Sequence, residues 1–123
     1  KVEIATRAHF NLGKTYFNLR EFEKAREAYR QVMASIEAEL AANSNLGVWQ
    51  ARAGLESARC SQIMANQSPN RSQQRAHAEE MAKSLQFVIK NFPESAEAKA
   101  ARRQLERLRT ALDATGDTAT VAR

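Results

Sequence analysis

Between residues 8 and 36 apolar side chains return at steps of three and four, the period of an α-helix rather than of a strand. Ala8, Leu12 and Tyr16 fall on one face of a first helix, with Gly13, the smallest residue, beside them. Phe22, Ala25, Tyr29, Val32 and Ile36 recur along a second helix. Between the two, Asn18-Leu19-Arg20-Glu21 has room for a turn only. A small residue on each helix, Gly13 and Ala25, allows the backbones to approach, while Tyr and Phe rings fill the gaps beside them. The pattern therefore predicts two helices locked antiparallel across a tight turn.

The same spacing continues and predicts five helices, over about 2–18, 21–42, 46–66, 72–92 and 95–113. Asn43-Ser44-Asn45 and Gly47 supply the stop after the second. Val48, Ala51, Leu55 and Ala58 form the expected inner stripe of the third, with Gly54 a close-contact position. Ser68-Pro69-Asn70-Arg71-Ser72 breaks the chain before the fourth, whose inner residues are Ala78, Met81, Leu85, Val88 and Phe92. Phe92-Pro93-Glu94-Ser95 ends that helix, and Ser95 is a good N-cap for the fifth, with Glu94 and Glu97 at the positive end of its dipole. Ala98, Ala101, Leu105, Leu108 and Leu112 share one side of the fifth, and residues 114–123 carry no periodicity and read as a frayed, flexible tail.

Composition agrees with an all-α chain: Ala is abundant, Gly (four) and Pro (two) are scarce, and β-branched runs are missing. At 123 residues it is long enough for one domain with a continuous core. Residues 6–39 then resemble a tetratricopeptide repeat, with Leu12, Gly13, Tyr16, Phe22, Ala25 and Tyr29 of the family's signature types in order, and His9 where Trp is commonest. The end of the second unit, LQFVIKNFPESAEAKAARRQL, resembles a repeat boundary of bacterial, often envelope-associated members. The resemblance implies a short right-handed α-solenoid over 1–113: a first helix pair (1–43), a second pair with a long polar connection (46–94), and a terminal or capping helix (95–113). Lys1 already lies within the helical pattern with no capping residue before it, so a fragment of a longer protein is expected, cytoplasmic or envelope-bound.

Little in the chain points to catalysis. His9 and His77 stand on different expected helices with no ligand at metal-binding spacing, so no metal and no cofactor are expected. The two Asp, Asp113 and Asp117, are near the end, and the Glu residues mostly alternate with Lys and Arg on helix surfaces. Isolated glycines exclude a phosphate-binding loop. Cys60, the one cysteine, sits among apolar neighbours and reads as a buried structural thiol. Leu85–Ile89, an apolar stretch interrupted by Gln86, is far too short to span a bilayer. The net charge of +5 is spread evenly, nine basic against seven acidic residues in 1–61 and ten against seven in 62–123, which disfavours nucleic acid as partner.

Binding of protein is what the resemblance implies, in a groove lined by the first helix of each unit. Carried onto this chain, groove residues are Arg7, Phe10, Lys14, Phe17 and Asn18, joined by Arg52 and Arg59 of the third helix. Phe10 and Phe17 between cations suit a protein or peptide with hydrophobic and acidic groups, and their other role is packing against the neighbouring repeat. Phe10 and Lys14 stand where the chaperone-tail binders of the family need Lys and Asn, which argues against that ligand. Trp49 is expected in the core, with partner anchoring as its alternative. Lys99, Arg102, Arg103 and Arg107 make a basic stripe on the fifth helix, read as a solvated face or as a surface for an acidic or phosphate-bearing partner. The function expected is a non-catalytic adaptor or scaffold module, the alternative being homo-oligomerisation through the open ends of the array, and nucleic-acid binding ranking lower.

Overall fold

A tight turn sets the first pair. Residue Arg20 adopts φ 61°, and Glu21 N–H donates to Tyr16 O (2.9 Å) while Arg20 N–H donates to Phe17 O (3.0 Å). This is a Schellman closure with arginine in the left-handed position that glycine usually fills. It ends α1 (Val2–Asn18) and starts α2 (Phe22–Met33). The computed structural model describes residues 2–35 and 45–115, and adds α3 (Leu46–Gln67), α4 (Arg71–Asn91) and α5 (Ala96–Thr115). All five described elements are helices, as the periodicity predicts.

Each helix packs on the next in sequence, and α3 also touches α1 and α5. Two glycines set the pair geometry. A Cβ on Gly13 would lie 2.6 Å from the Tyr29 ring, and one on Gly54 would overlap Val88 of α4. The second pair thus repeats the first, and α5 stacks beyond it. Side chains at both junctions are fixed by caps: Asn70 Oδ1 accepts from Gln73 N–H (2.8 Å), and Ser95 Oγ accepts from Ala98 N–H (2.9 Å).

The interior has two apolar clusters that share α3. One joins Phe10, Ala25, Tyr29 and Val32 to Ala53 and Cys60, and the other joins Ala51 and Ala58 to Met81, Leu85, Val88, Ala98, Ala101 and Leu105. Burial on both sides explains why α3 is rich in Ala, Gly, Ser and Cys, since two neighbours at close range leave no room for large side chains. A fully buried Leu or Val such as Leu85 or Val88 contributes about 1.5–3 kcal/mol.

Three expectations are corrected. The inward face of α1 is Thr6, Phe10 and Gly13, whereas Ala8 is exposed and Leu12 is 42% exposed. The seven-residue steps of Phe10 and Phe17 carry the packing instead. Val48 is 49% exposed and lies off the inner stripe of α3. Helix α2 stops at Met33 rather than continuing, because Ser35 Oγ (2.7 Å) and Ser35 N–H (3.1 Å) both donate to Val32 O and close the last turn. The rest of the second helix expected to 42, the Asn43-Ser44 stop and residues 116–123 lie outside the described residues; α5 reaches Thr115, two residues past its expected end.

Candidate functional site

Helices α1, α3 and α5 run parallel. Residues 7 and 17 of α1 meet residues 49 and 59 of α3, and residues 52 and 59 of α3 meet residues 97 and 104 of α5. Steps of three and four on α3 put Trp49, Arg52, Glu56 and Arg59 in one stripe along the middle of this three-helix face.

At its N-terminal end Trp49 takes the Arg7 guanidinium 5.7 Å and the Arg52 guanidinium 5.9 Å from its ring centroid. Phe10 braces the indole edge-on at 5.2 Å and Tyr29 at 5.4 Å. Arg52 Nε lies 3.8 Å from Glu97 Oε2, too far for a tight hydrogen bond. Two turns on, Arg59 stacks 4.7 Å above Phe17, whose ring packs against Phe22. Arg59 also opens onto a cleft of about 320 Å³ lined by Glu56, Gln62, Gln104 and Arg107. Aromatic rings therefore hold the guanidinium groups in place while their charged edges stay in solvent.

The expected groove residues divide accordingly. Arg7, Arg52, Phe17 and Arg59 come together on this face, and Lys14 and Asn18 are exposed on α1. Phe10 is buried and takes its alternative packing role. The basic stripe of α5 spreads over a broad arc rather than one patch. Arg107 belongs to the cleft with Arg59, while Arg102 donates to Pro93 O (2.7 Å) and faces α4 in a separate cleft with Ile89 and Lys90; Lys99 and Arg103 are exposed between them. Glu56, Gln62, Glu97 and Gln104 were missed, although Glu56 sits at helical spacing between Arg52 and Arg59.

Residues 6–35 match the family model described as Tetratricopeptide repeat. The chain carries a tetratricopeptide repeat. No curated protein and no solved structure matches the chain. A repeat of this type points to protein–protein interaction, and the repeat family is generally non-catalytic. Its packing as a stack of helix pairs is that of an all-α, tetratricopeptide-like solenoid. Among the described residues no helix is long and apolar enough to cross a membrane, and no three His, Cys, Asp or Glu side chains are grouped to hold a metal ion.

The other side of the repeat carries polar stitches. Arg26 Nη1 of α2 donates to Ser61 Oγ of α3 (3.1 Å) and to His77 Nδ1 of α4 (3.2 Å), and Arg30 pairs with Glu80 of α4. An arginine has only donors, so His77 Nδ1 must be the unprotonated ring nitrogen. Partial burial and then the Arg26 charge hold the His77 pKa below its ordinary value. Cys60 is buried in the first cluster, and burial pushes its thiol up to about 12, so it stays protonated and structural, as its sequence neighbours indicate.

Proposed function

We propose that the chain is a receptor for a polypeptide segment bearing acidic and apolar side chains, held along the groove of α1, α3 and α5. The observation that supports this reading is the set of exposed guanidinium groups seated on rings, Arg7 and Arg52 on Trp49 and Arg59 on Phe17. Cations fixed in this way lose little conformational freedom when a carboxylate arrives, and a stack of rigid helix pairs adds little ordering cost. Charge-assisted hydrogen bonds to carboxylate are among the stronger polar contacts available. The face carries Arg7, Arg52, Arg59 and Arg107 against Glu56 and Glu97, a basic excess in an otherwise balanced chain.

Trp49 is the one tryptophan, so its emission reports directly on this groove. Titration with acidic peptides should shift that emission, and Arg7→Ala or Arg59→Ala should weaken binding without lowering the melting temperature. Binding that ignores both substitutions counts against the reading. Phe10→Ala is no substitute, because that ring is part of the core.

A second reading, self-association, draws on the outer face of α1 and the turn after it, where Ile4 (73%), Leu12 and Leu19 (64%) are exposed. Sedimentation over a concentration series separates the two, since only association predicts a mass that rises without ligand and falls again on Leu12→Glu.

A further inference from the structure

Resting on the groove reading above, we infer that the ligand is an extended segment with two acidic side chains three residues apart and non-acidic residues between them. The groove offers two cationic stations rather than a continuous basic floor. The first is Arg7 with Arg52 at Trp49, and the second is Arg59 with Arg107 at the cleft of about 320 Å³. Among the described residues no ion pair engages Arg7, Arg59 or Arg107, and the contact of Arg52 with Glu97 is long.

Arg52 and Arg59 are seven residues apart on one helix, so their Cα atoms are about 10.5 Å apart along α3. A polyproline-type strand repeats its side-chain direction every third residue and advances about 9.3 Å in doing so, which matches that separation. A spacing of two residues falls short at about 6.6 Å, and one of four overshoots at about 13 Å.

Glu56 gives the pattern its second element. It stands between Arg52 and Arg59 on the same stripe and lines the same cleft, partly buried. A third carboxylate on the segment between the stations would add negative charge beside Glu56, and like charges repel even where the side chains do not point at each other. The groove thus selects acidic ends and rejects an acidic centre, a discrimination by repulsion as well as attraction.

The test uses the full chain and short blocked peptides of Ala, Pro and Glu, read by Trp49 emission and by calorimetry. Two Glu three residues apart should bind about tenfold tighter than the same two Glu at spacings of two or four. A third Glu placed between them should cost about tenfold, and Glu56→Gln should restore that loss while leaving the two-Glu peptide nearly unchanged. Equal affinity at all spacings, or a central Glu whose effect survives Glu56→Gln, overturns the inference. If peptides without Glu bind equally well and Arg59→Ala still weakens them, the groove reading stands and the spacing rule falls. If Trp49 responds to no peptide, or if a single-stranded oligonucleotide binds more tightly than every peptide, both fall.

Discussion

Gly54→Ala sets intrinsic helix preference against packing, and the two predict opposite signs. Alanine is favoured over glycine inside a helix by about 1 kcal/mol, so propensity alone predicts a more stable protein. In the structure the new Cβ would overlap a methyl of Val88 and approach Ser84 O at 3.5 Å and the Phe87 ring at 3.6 Å. Val88 is fully buried and β-branched on a helix, which leaves it essentially one rotamer, so relief requires α3 and α4 to move apart. Overpacking of this kind costs up to about 3 kcal/mol, for a net loss of about 2 kcal/mol. In a domain of this size that lowers the melting temperature by about 6–8 °C.

Val88→Ala alone should also cost about 2 kcal/mol, by removing two buried methyl groups. The double variant should lose about 2 rather than about 4 kcal/mol, since each change relieves the other, a coupling of the size expected for residues in direct contact. Urea denaturation followed by helical circular dichroism gives all four stabilities, with an unchanged slope verifying a common unfolding transition. A Gly54→Ala protein that is more stable than the parent, or strict additivity in the cycle, would refute the close approach of α3 and α4.

Other substitutions probe the joints of the fold. Arg20→Gly removes the cost of a left-handed arginine and should raise stability by about 0.5–1 kcal/mol; a lower melting temperature would mean that the turn is held some other way. Ser95→Ala removes the oxygen that accepts from Ala98 N–H and should cost about 1 kcal/mol in the same assay, an unchanged midpoint counting against the cap. The His77 contact predicts a pH dependence: its folded pKa is lowered, so the unfolded chain takes up a proton first. Its contribution is present above the unfolded value, about pH 6.5, and is lost as the pH falls from there through the lower folded pKa. Denaturation midpoints of the parent and of His77→Gln should therefore converge as the pH falls below about 6.5, and a constant difference would refute the Arg26–His77 hydrogen bond.

Periodicity, turn residues and composition determined the helices, their order and their pairing. Steps of three and four can be counted in one dimension, and caps such as Asn70 and Ser95 act within three residues of themselves. Gly13 and Gly54 marked the close approaches for the same reason, because only a missing side chain permits them. The family resemblance assigned Arg7, Arg52 and Arg59 to one face, and the structure brings them together there on the Trp49 and Phe17 rings. Which apolar residue faces in was decided by tertiary structure: Leu12 reads as core yet is exposed, while Phe10 reads as groove yet is buried between Tyr29 and Trp49. A helix with apolar residues on more than one side has no unique inward face until its neighbours are fixed. The meeting of Arg59 with Arg107 and Glu56, and of Arg26 with His77, joins residues far apart in sequence, and no local spacing encodes such pairs. The first follows from the parallel register of α1, α3 and α5, and the second from the meeting of α2 and α4 beside α3.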